Sequence, residues 1–400
     1  MLNNHQLRVL FCLCAMITLN LFVSGCWDNA EIENRGFVLG IAVDYAAAPE
    51  SKEKSDLLHV TQEEAIRKYR VTFELPKFPK RGGAEQAGGT TEEHLIFAGE
   101  GQSLFAISRA ISARIFWNLI YDDLQVIIIN EAVAKAGIGG LMDFFTRYPG
   151  MRERSKVFIT PGPAVGILKE RLKVDEINSM HIAKLVRNVE KIPRFAETED
   201  LNHIVRSMLE ERSFMLPIIL MENGDVKLTS GAVFNRRGEM VGELDEWEIV
   251  GAKIIRDKLH DGVFTVRGPV NSNKLVAVSI EESKSEVKSH LAEGKLRFTV
   301  DGKFICSIGE NTDYEQKVLN PAYLAAIEQQ LTDEFTRQTY AAYHGLQAMK
   351  ADCVDLGLLV HREQPQYWKK VKDRWDDEIF PTVPLDVNIK VVIKQPGMTS

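Results

Sequence analysis

The sequence predicts a combined α/β and α+β fold, three mixed α/β domains behind a cleaved lipoprotein signal peptide. Three observations carry this. An apolar segment near the N-terminus runs into two small residues and a cysteine; strand-like and helix-like stretches alternate from residue 36 to about residue 211; short strands, one long helix and a final strand fill the rest. The expected boundaries are 1–25 for the signal peptide, 26–200 for an N-terminal α/β domain, 201–270 for a small middle α+β domain, and 271–400 for a C-terminal α+β domain holding the long helix.

Composition limits the function classes. With 400 residues, 45% hydrophobic and 26% charged, the chain is an ordinary globular one with room for two or three domains. A mean hydropathy of -0.14 leaves no place for repeated membrane-spanning segments. The net charge of -7 and isoelectric point near 5.8 argue against nucleic acid as a partner, because phosphate binding needs a concentrated positive field. Cys12, Cys14, Cys26, Cys306 and Cys353 are too few for a disulfide scaffold and form no C-x-x-C pair.

At the N-terminus, Arg8 precedes a mostly apolar stretch over 9–23, which ends in Val23-Ser24-Gly25-Cys26. This is a lipobox. Small side chains at Ser24 and Gly25 let a protease approach the backbone, and the Cys26 thiol takes a diacylglyceryl group as a thioether before cleavage between Gly25 and Cys26. Two other readings are a plain signal peptide and an uncleaved helix of about 17 residues, short for spanning a bilayer. Each acyl chain on Cys26 adds about 0.8 kcal/mol per buried CH₂, so lipidation would hold the chain at a membrane.

In the first domain, the run 36–44 is rich in β-formers and predicts a strand buried on both faces. A strand at 69–75 follows, and then the Gly-rich tract 81–91, a loop that lacks the Lys-Ser or Lys-Thr of a phosphate cradle. Residues 95–98, 103–117 and 124–129 read as strand, helix and strand. Leu104, Ile107, Ile111 and Ile115 mark the buried helix face of this βαβ unit. Gly99-Glu100-Gly101 resembles the opening of a dinucleotide fingerprint, but Leu104 stands where a third Gly belongs and Glu100 would repel a pyrophosphate. A helix over 131–147, a strand over 155–160 and helices over 164–172, 179–189 and 200–211 complete the domain.

The middle segment predicts antiparallel strands at 216–221, 226–229 and 231–234 around an Asn223-Gly224 hairpin turn, a helix at 246–258 and a strand at 263–266. Arg267-Gly268-Pro269 marks a break. Four strands are expected next, at 275–280, 286–292, 295–300 and 303–308, with turns at Ala292-Glu293-Gly294 and Asp301-Gly302. A helix of about 30 residues, roughly 45 Å long, then carries an apolar stripe through Leu324, Ile327, Leu331, Phe335, Ala342, Leu346, Met349 and Cys353. The stripe fits packing on its own sheet or, in part, contact with a partner. Trp368 and Trp375, seven apart, share a helix face, and Lys369, Lys370, Lys372 and Arg374 lie among them. These bases fit a solvated face or a contact with lipid headgroups or an acidic partner. A strand at 385–393 closes the chain.

No local catalytic or metal motif emerges, so no catalytic residue, metal ligand or cofactor is assigned and no ligand-binding residue is identified. The nine histidines never form H-x-x-x-H, and G-x-S-x-G does not occur. Cys306 in a strand and Cys353 on the stripe read as small buried hydrophobes. Asp122-Asp123 and Asp376-Asp377 are adjacent pairs whose side chains would point to different sides.

Several blocks together resemble one family. The lipobox leading into CWDNAEIE at 26–33, GFVLGIAVD at 36–44, GEGQSLFAISRAIS at 99–112, QVIIINEAVAKAGI at 125–138, MRERSKVFIT at 151–160 and KADCVDLG at 350–357 occur in order. They are followed by YWKKVKDRWDDEIF and LDVNIKVVIKQPGM. This pattern resembles the Ger(x)C family, the lipoprotein C subunits of spore nutrient germinant receptors. The resemblance implies a non-enzymatic subunit anchored by N-terminal diacylglycerol to the outer face of the inner spore membrane. Its implied neighbours are an integral A subunit and a polytopic B subunit, in a complex that responds to small nutrients. It also implies three mixed α/β domains, in accord with breaks near 200 and 270. A rival from another class, the solute-binding lipoprotein of an ABC importer, would show two similar lobes and a ligand cleft.

Overall fold

Uninterrupted β-branched runs must be covered on both faces, and the computed structural model, which describes residues 35–47, 68–77, 94–148, 150–170, 172, 177–189, 192–313 and 321–395, places them at the centre of a sheet. The first half runs β1 (Arg35–Phe37), β2 (Gly40–Tyr45), β3 (Tyr69–Pro76), β4 (His94–Gly101), α1 (Leu104–Ile115), β5 (Asn118–Ile120) and β6 (Val126–Asn130). Next come α2 (Glu131–Ala136), α3 (Gly139–Arg147), β7 (Lys156–Thr160), α4 (Ala164–Lys169), α5 (Asn178–Val189) and α6 (Leu201–Leu209). The second half runs β8 (Phe214–Glu222), β9 (Asp225–Phe234), β10 (Met240–Leu244), α7 (Glu246–Ile255), β11 (Val263–Arg267), β12 (Leu275–Ala292), β13 (Lys295–Asn311), α8 (Pro321–Met349), α9 (Leu356–Glu363), α10 (Pro365–Val371) and β14 (Leu385–Gln395).

The main sheet has eight strands in the order β10-β9-β8-β7-β6-β2-β3-β4. β2 is parallel to β6 and antiparallel to β3, so β4 and β6 run the same way with two strands between them. The expected βαβ unit is therefore present as a crossover rather than a pair of neighbours. On β2, Ile41 and Val43 enter one core with α1, α2, α3 and α6, while Ala42 enters a second core with α4 and α5. The middle strands join this sheet through a single pair, Ile159 with Ile218, so the segment from 201 onward continues the first sheet across a narrow seam.

The expected single strand over 36–44 is two. β1 pairs in parallel with β5, a short strand unforeseen from sequence, in a separate two-stranded sheet, while Val38 and Leu39 turn the chain into β2. Gly36 permits this, since a Cβ there would lie 3.0 Å from the Leu75 side chain. The expected helix 131–147 also divides: Gly137 adopts φ 103°, a backbone state that ends α2 and lets α3 start at a new angle.

A four-stranded sheet, β11-β12-β13-β14, forms the C-terminal layer. Its four expected central strands are two long ones. Asp301-Gly302 is not a turn: both residues pair with Glu286 and Ser285 on one side and with Asn388 and Ile389 on the other. Two flanking strands satisfy the backbone there, which outweighs the local turn preference. The real reversal is Glu293-Gly294, at φ 50° and 77°. α8 lies across this sheet, as one of the two readings of its stripe required. Phe335 sits between Phe264 and Phe304, at ring separations of 4.8 and 4.9 Å, and the Tyr343 hydroxyl donates to the Val383 carbonyl at 2.7 Å. Cys353 lies beyond the end of α8, in a turn.

Candidate functional site

Two carboxylates on the central strands organise the first half. α4 begins after Pro163, whose side chain cannot cap; Asp44 at the end of β2 accepts instead from the Ala164 and Val165 amides at 2.7 and 3.0 Å. Burial raises the Asp44 carboxyl above its ordinary value and these amides oppose that. Glu74 on β3, fully buried, does the same for α5, accepting from the Asn178 and Ser179 amides at 3.1 and 2.9 Å and meeting His94 Nδ1 at 2.7 Å. Gly40 makes room for this, since a Cβ there would sit 2.9 Å from Ser179. Thus the acidic end of the 36–44 block is a helix clamp.

A cluster of paired and buried charges lies where the two halves meet. After α8, Lys350 takes a left-handed conformation, φ 54°, and the chain enters a tight turn. Asp352 there accepts from the Leu356 and Gly357 amides at 3.1 and 2.6 Å, capping α9, and from the Trp375 indole at 2.9 Å. Its carboxyl is pushed up to about 7, chiefly by burial and then by neighbouring Asp376. Asp376 accepts from the Ser213 hydroxyl at 2.7 Å and is also raised by burial. Gly357 is set by close packing: a Cβ would lie 2.8 Å from Trp375 Nε1 and 3.0 Å from Trp368.

Asp355, at φ 61°, carries the cluster outward. It meets Arg212 at 3.0 Å and Arg256 at 3.7 Å, and Arg256 also pairs with Glu197 at 2.9 Å and Glu199 at 3.8 Å. Burial opposes the Arg256 charge, yet these carboxylates raise its pKa overall. Arg236, from the turn between β9 and β10, donates to the Asp373 carbonyl and to Asp377, both at 2.8 Å. A cavity of about 520 Å³ opens here, bordered by Arg212, Arg236, Asp376 and Trp368. The arrangement links residues 197–213, α7 and the 350–377 segment through paired charges. It is chemistry for holding and orienting two halves.

The residues singled out from the sequence fall unevenly about this site. Cys26 and Gly25 lie outside the described residues, as does the Gly-rich tract. Cys306 and Cys353 are both buried and unpaired; burial pushes the Cys306 thiol up to about 12 and Cys353 well above its ordinary value, so neither is a thiolate. Asp376 is buried and Asp377 exposed, on different sides. Trp368 and Trp375 meet edge to face at 5.4 Å, although a 3₁₀ turn separates them, Trp375 opens a π turn, and no single helix carries both. Lys369, Lys370, Lys372 and Arg374 are exposed around a buried Trp375, and fit the solvated-face reading. Arg212, Arg256, Glu197 and Glu199 had no local signal. Asp352 and Asp355 lay inside KADCVDLG, where the αL turn and helix cap now explain them.

Among the described residues no helix is long and apolar enough to cross a membrane, and no group of three or more His, Cys, Asp or Glu side chains is placed to hold a metal ion.

Residues 28–221 match the family described as spore germination protein N-terminal domain, and residues 229–397 the one described as spore germination B3/GerAC like, C-terminal. The two matches meet at the β8–β9 hairpin. In Bacillus subtilis (strain 168), spore germination protein A3 is 24% identical over 96% of this chain and 97% of its own length. Spore germination protein KC from the same strain is 22% identical over 97% and 96%. The crystal structure of the GerBC protein shares the fold, with a TM-score of 0.58 at 18% identity over 85% of this chain and 99% of that one. The fold and the ordered matches define a spore germination protein. More narrowly, the chain belongs to the Ger(x)C family.

Proposed function

We propose that the protein is the lipid-anchored C subunit of a spore nutrient germinant receptor, without catalytic activity of its own, needed for assembly and signalling of the response to small nutrients. One observation carries this reading: both family matches run in order from residue 28 to residue 397, directly behind the lipobox cysteine, Cys26. Lipidation at Cys26, after cleavage from Gly25, would tether the body to the outer face of the inner spore membrane. It would thereby raise the local concentration of this chain beside integral A and B subunits. In this reading the chain divides into 26–200, 201–270 and 271–400, and the Asp352 and Arg256 cluster couples the C-terminal part to the rest. The two halves differ in sheet order and strand direction, which gives the importer reading, with its two similar lobes, no support.

The test is co-purification of the tagged protein from detergent-solubilised spore inner membrane, with mass spectrometry of partners and of the N-terminal peptide. A diacylated Cys26 peptide recovered with two integral receptor subunits is the expected result. Recovery with a permease and an ATPase would replace the receptor reading with an importer.

A further inference from the structure

α1 is apolar on two sides. Its inner face, Leu104, Ile107, Ile111 and Ile115, is buried against the sheet. Its outer face carries Phe105, Ala106, Arg109, Ala110 and Ala113 and ends at Phe116, all exposed. Phe105 is 52% and Phe116 80% exposed. Phe116 is held at φ 51° against Trp117, with ring centroids 5.0 Å apart. A left-handed helix end is the usual place of Gly or Asn, so Phe116 carries a backbone cost, and it stays 80% exposed despite its contact with Trp117.

Charge points the same way. The chain has 56 acidic residues in 400, yet the stretch 101–121 has none, while Arg109 and Arg114 stand on it. Arg109 lies over the Phe105 ring at 5.4 Å; Arg147, which borders the same hollow, is paired with Asp143 at 2.7 Å.

The strand register supplies the position. β1 and β5 are parallel, with Arg35 opposite Asn118. Arg35 therefore opens β1 at the end of the sheet where Trp117 and Phe116 lie. Cys26 stands nine positions upstream, a reach of at most about 30 Å at roughly 3.3–3.6 Å per residue. A lipid on Cys26 would keep this end of the molecule at the bilayer surface.

We propose that the outer face of α1 rests in the membrane interface, with Phe116 and Phe105, about 16 Å apart along the helix, among the headgroups and upper acyl chains. Arg109 and Arg114 pair with anionic lipid headgroups. They supply the attraction, because the tether itself carries Asp28, Glu31 and Glu33. This inference rests on lipidation of Cys26.

The experiment uses the full lipidated chain on vesicles of phosphatidylcholine with anionic phosphatidylglycerol. A nitroxide is attached at Ala113→Cys on the outer face, and separately at Glu293→Cys on the β12–β13 turn. Flotation of the protein with the vesicles and the mass of the N-terminal peptide report the anchor independently. The expected result is that the Ala113 label gains collisions with oxygen and loses broadening by an aqueous nickel chelate on vesicles, while the Glu293 label stays wet. Phe116→Asp is expected to return the Ala113 label to water without loss of flotation. A floating, lipidated protein whose Ala113 label remains as wet as the Glu293 label overturns the docking and leaves the anchor standing. So does a label that dries only when integral membrane subunits are added, which would make the face a protein interface. Failure to float, with no lipid mass on Cys26, overturns the anchor and the docking with it.

Discussion

The Asp352 carboxylate receives the indole N–H of Trp375 at 2.9 Å while it caps α9, so one buried acid joins the turn after α8 to the aromatic cluster that ends the second half. On its protein side Gly357 packs against both tryptophans and Cys353 lies against the Phe234 carbonyl.

Asp352→Ala is expected to cost about 2–4 kcal/mol in urea denaturation, because it orphans the indole and at least one buried amide. Asp352→Asn retains an acceptor and should cost clearly less. Equal losses would show that the acid serves only by its volume.

Stability should depend on pH through the same group. The folded-state value of Asp352, about 7, lies above its ordinary 3.8, so the folded state binds the proton more tightly. Its contribution is full below pH 4 and declines as pH rises through 7. Between pH 5 and pH 8 the wild-type chain is therefore expected to lose more stability than Asp352→Asn. Parallel urea curves for the two proteins would contradict this assignment.

Arg256→Met keeps the stem and removes the charge shared by Glu197, Glu199 and Asp355. Three carboxylates then face one another with reduced compensation, and a loss of about 3 kcal/mol or more is expected. Partial restoration by adding Glu197→Gln to the same variant would identify repulsion as the cause.

Gly251 and Gly140 give opposite expectations. A Cβ on Gly251 in α7 would overlap the Gln338 carbonyl of α8, and backbone cannot swing aside as a side chain can. Gly251→Ala should lower the melting temperature sharply or prevent folding. At Gly140 in α3 nothing lies within 4 Å of the added carbon, and Ala should stabilise by about 0.5–1 kcal/mol.

Cys26→Ala tests the anchor. Melting is expected to be unchanged, while membrane retention and the germination response fall. Full retention and response in this variant would end the tethering claim.

Much of the fold was legible because its cause is local. The buried face of α1, the Asn223-Gly224 turn and the strand at the centre of the main sheet follow from spacing and residue type alone. Reading failed where a neighbour outweighed local preference. Asp301-Gly302 stays extended because β12 and β14 flank it, and the 36–44 run breaks because β5 offers Arg35–Phe37 a separate partner. The candidate site was less legible, since Arg212, Arg256 and Asp355 are ordinary surface residue types until the fold gathers them.

The sequence by itself determined the mixed class, the Val23-Ser24-Gly25-Cys26 motif and the order of the family blocks, all of which are written in contiguous residues and need no partner to be read. Only the tertiary structure decided that β8 to β10 extend the first sheet, that Asp44 and Glu74 clamp helices begun elsewhere, and that Asp352, Asp376 and Trp375 share one buried site. Those depend on which distant segments are brought within hydrogen-bond reach, and burial then raises the Asp44, Asp352 and Asp376 carboxyls in a way that no local pattern encodes.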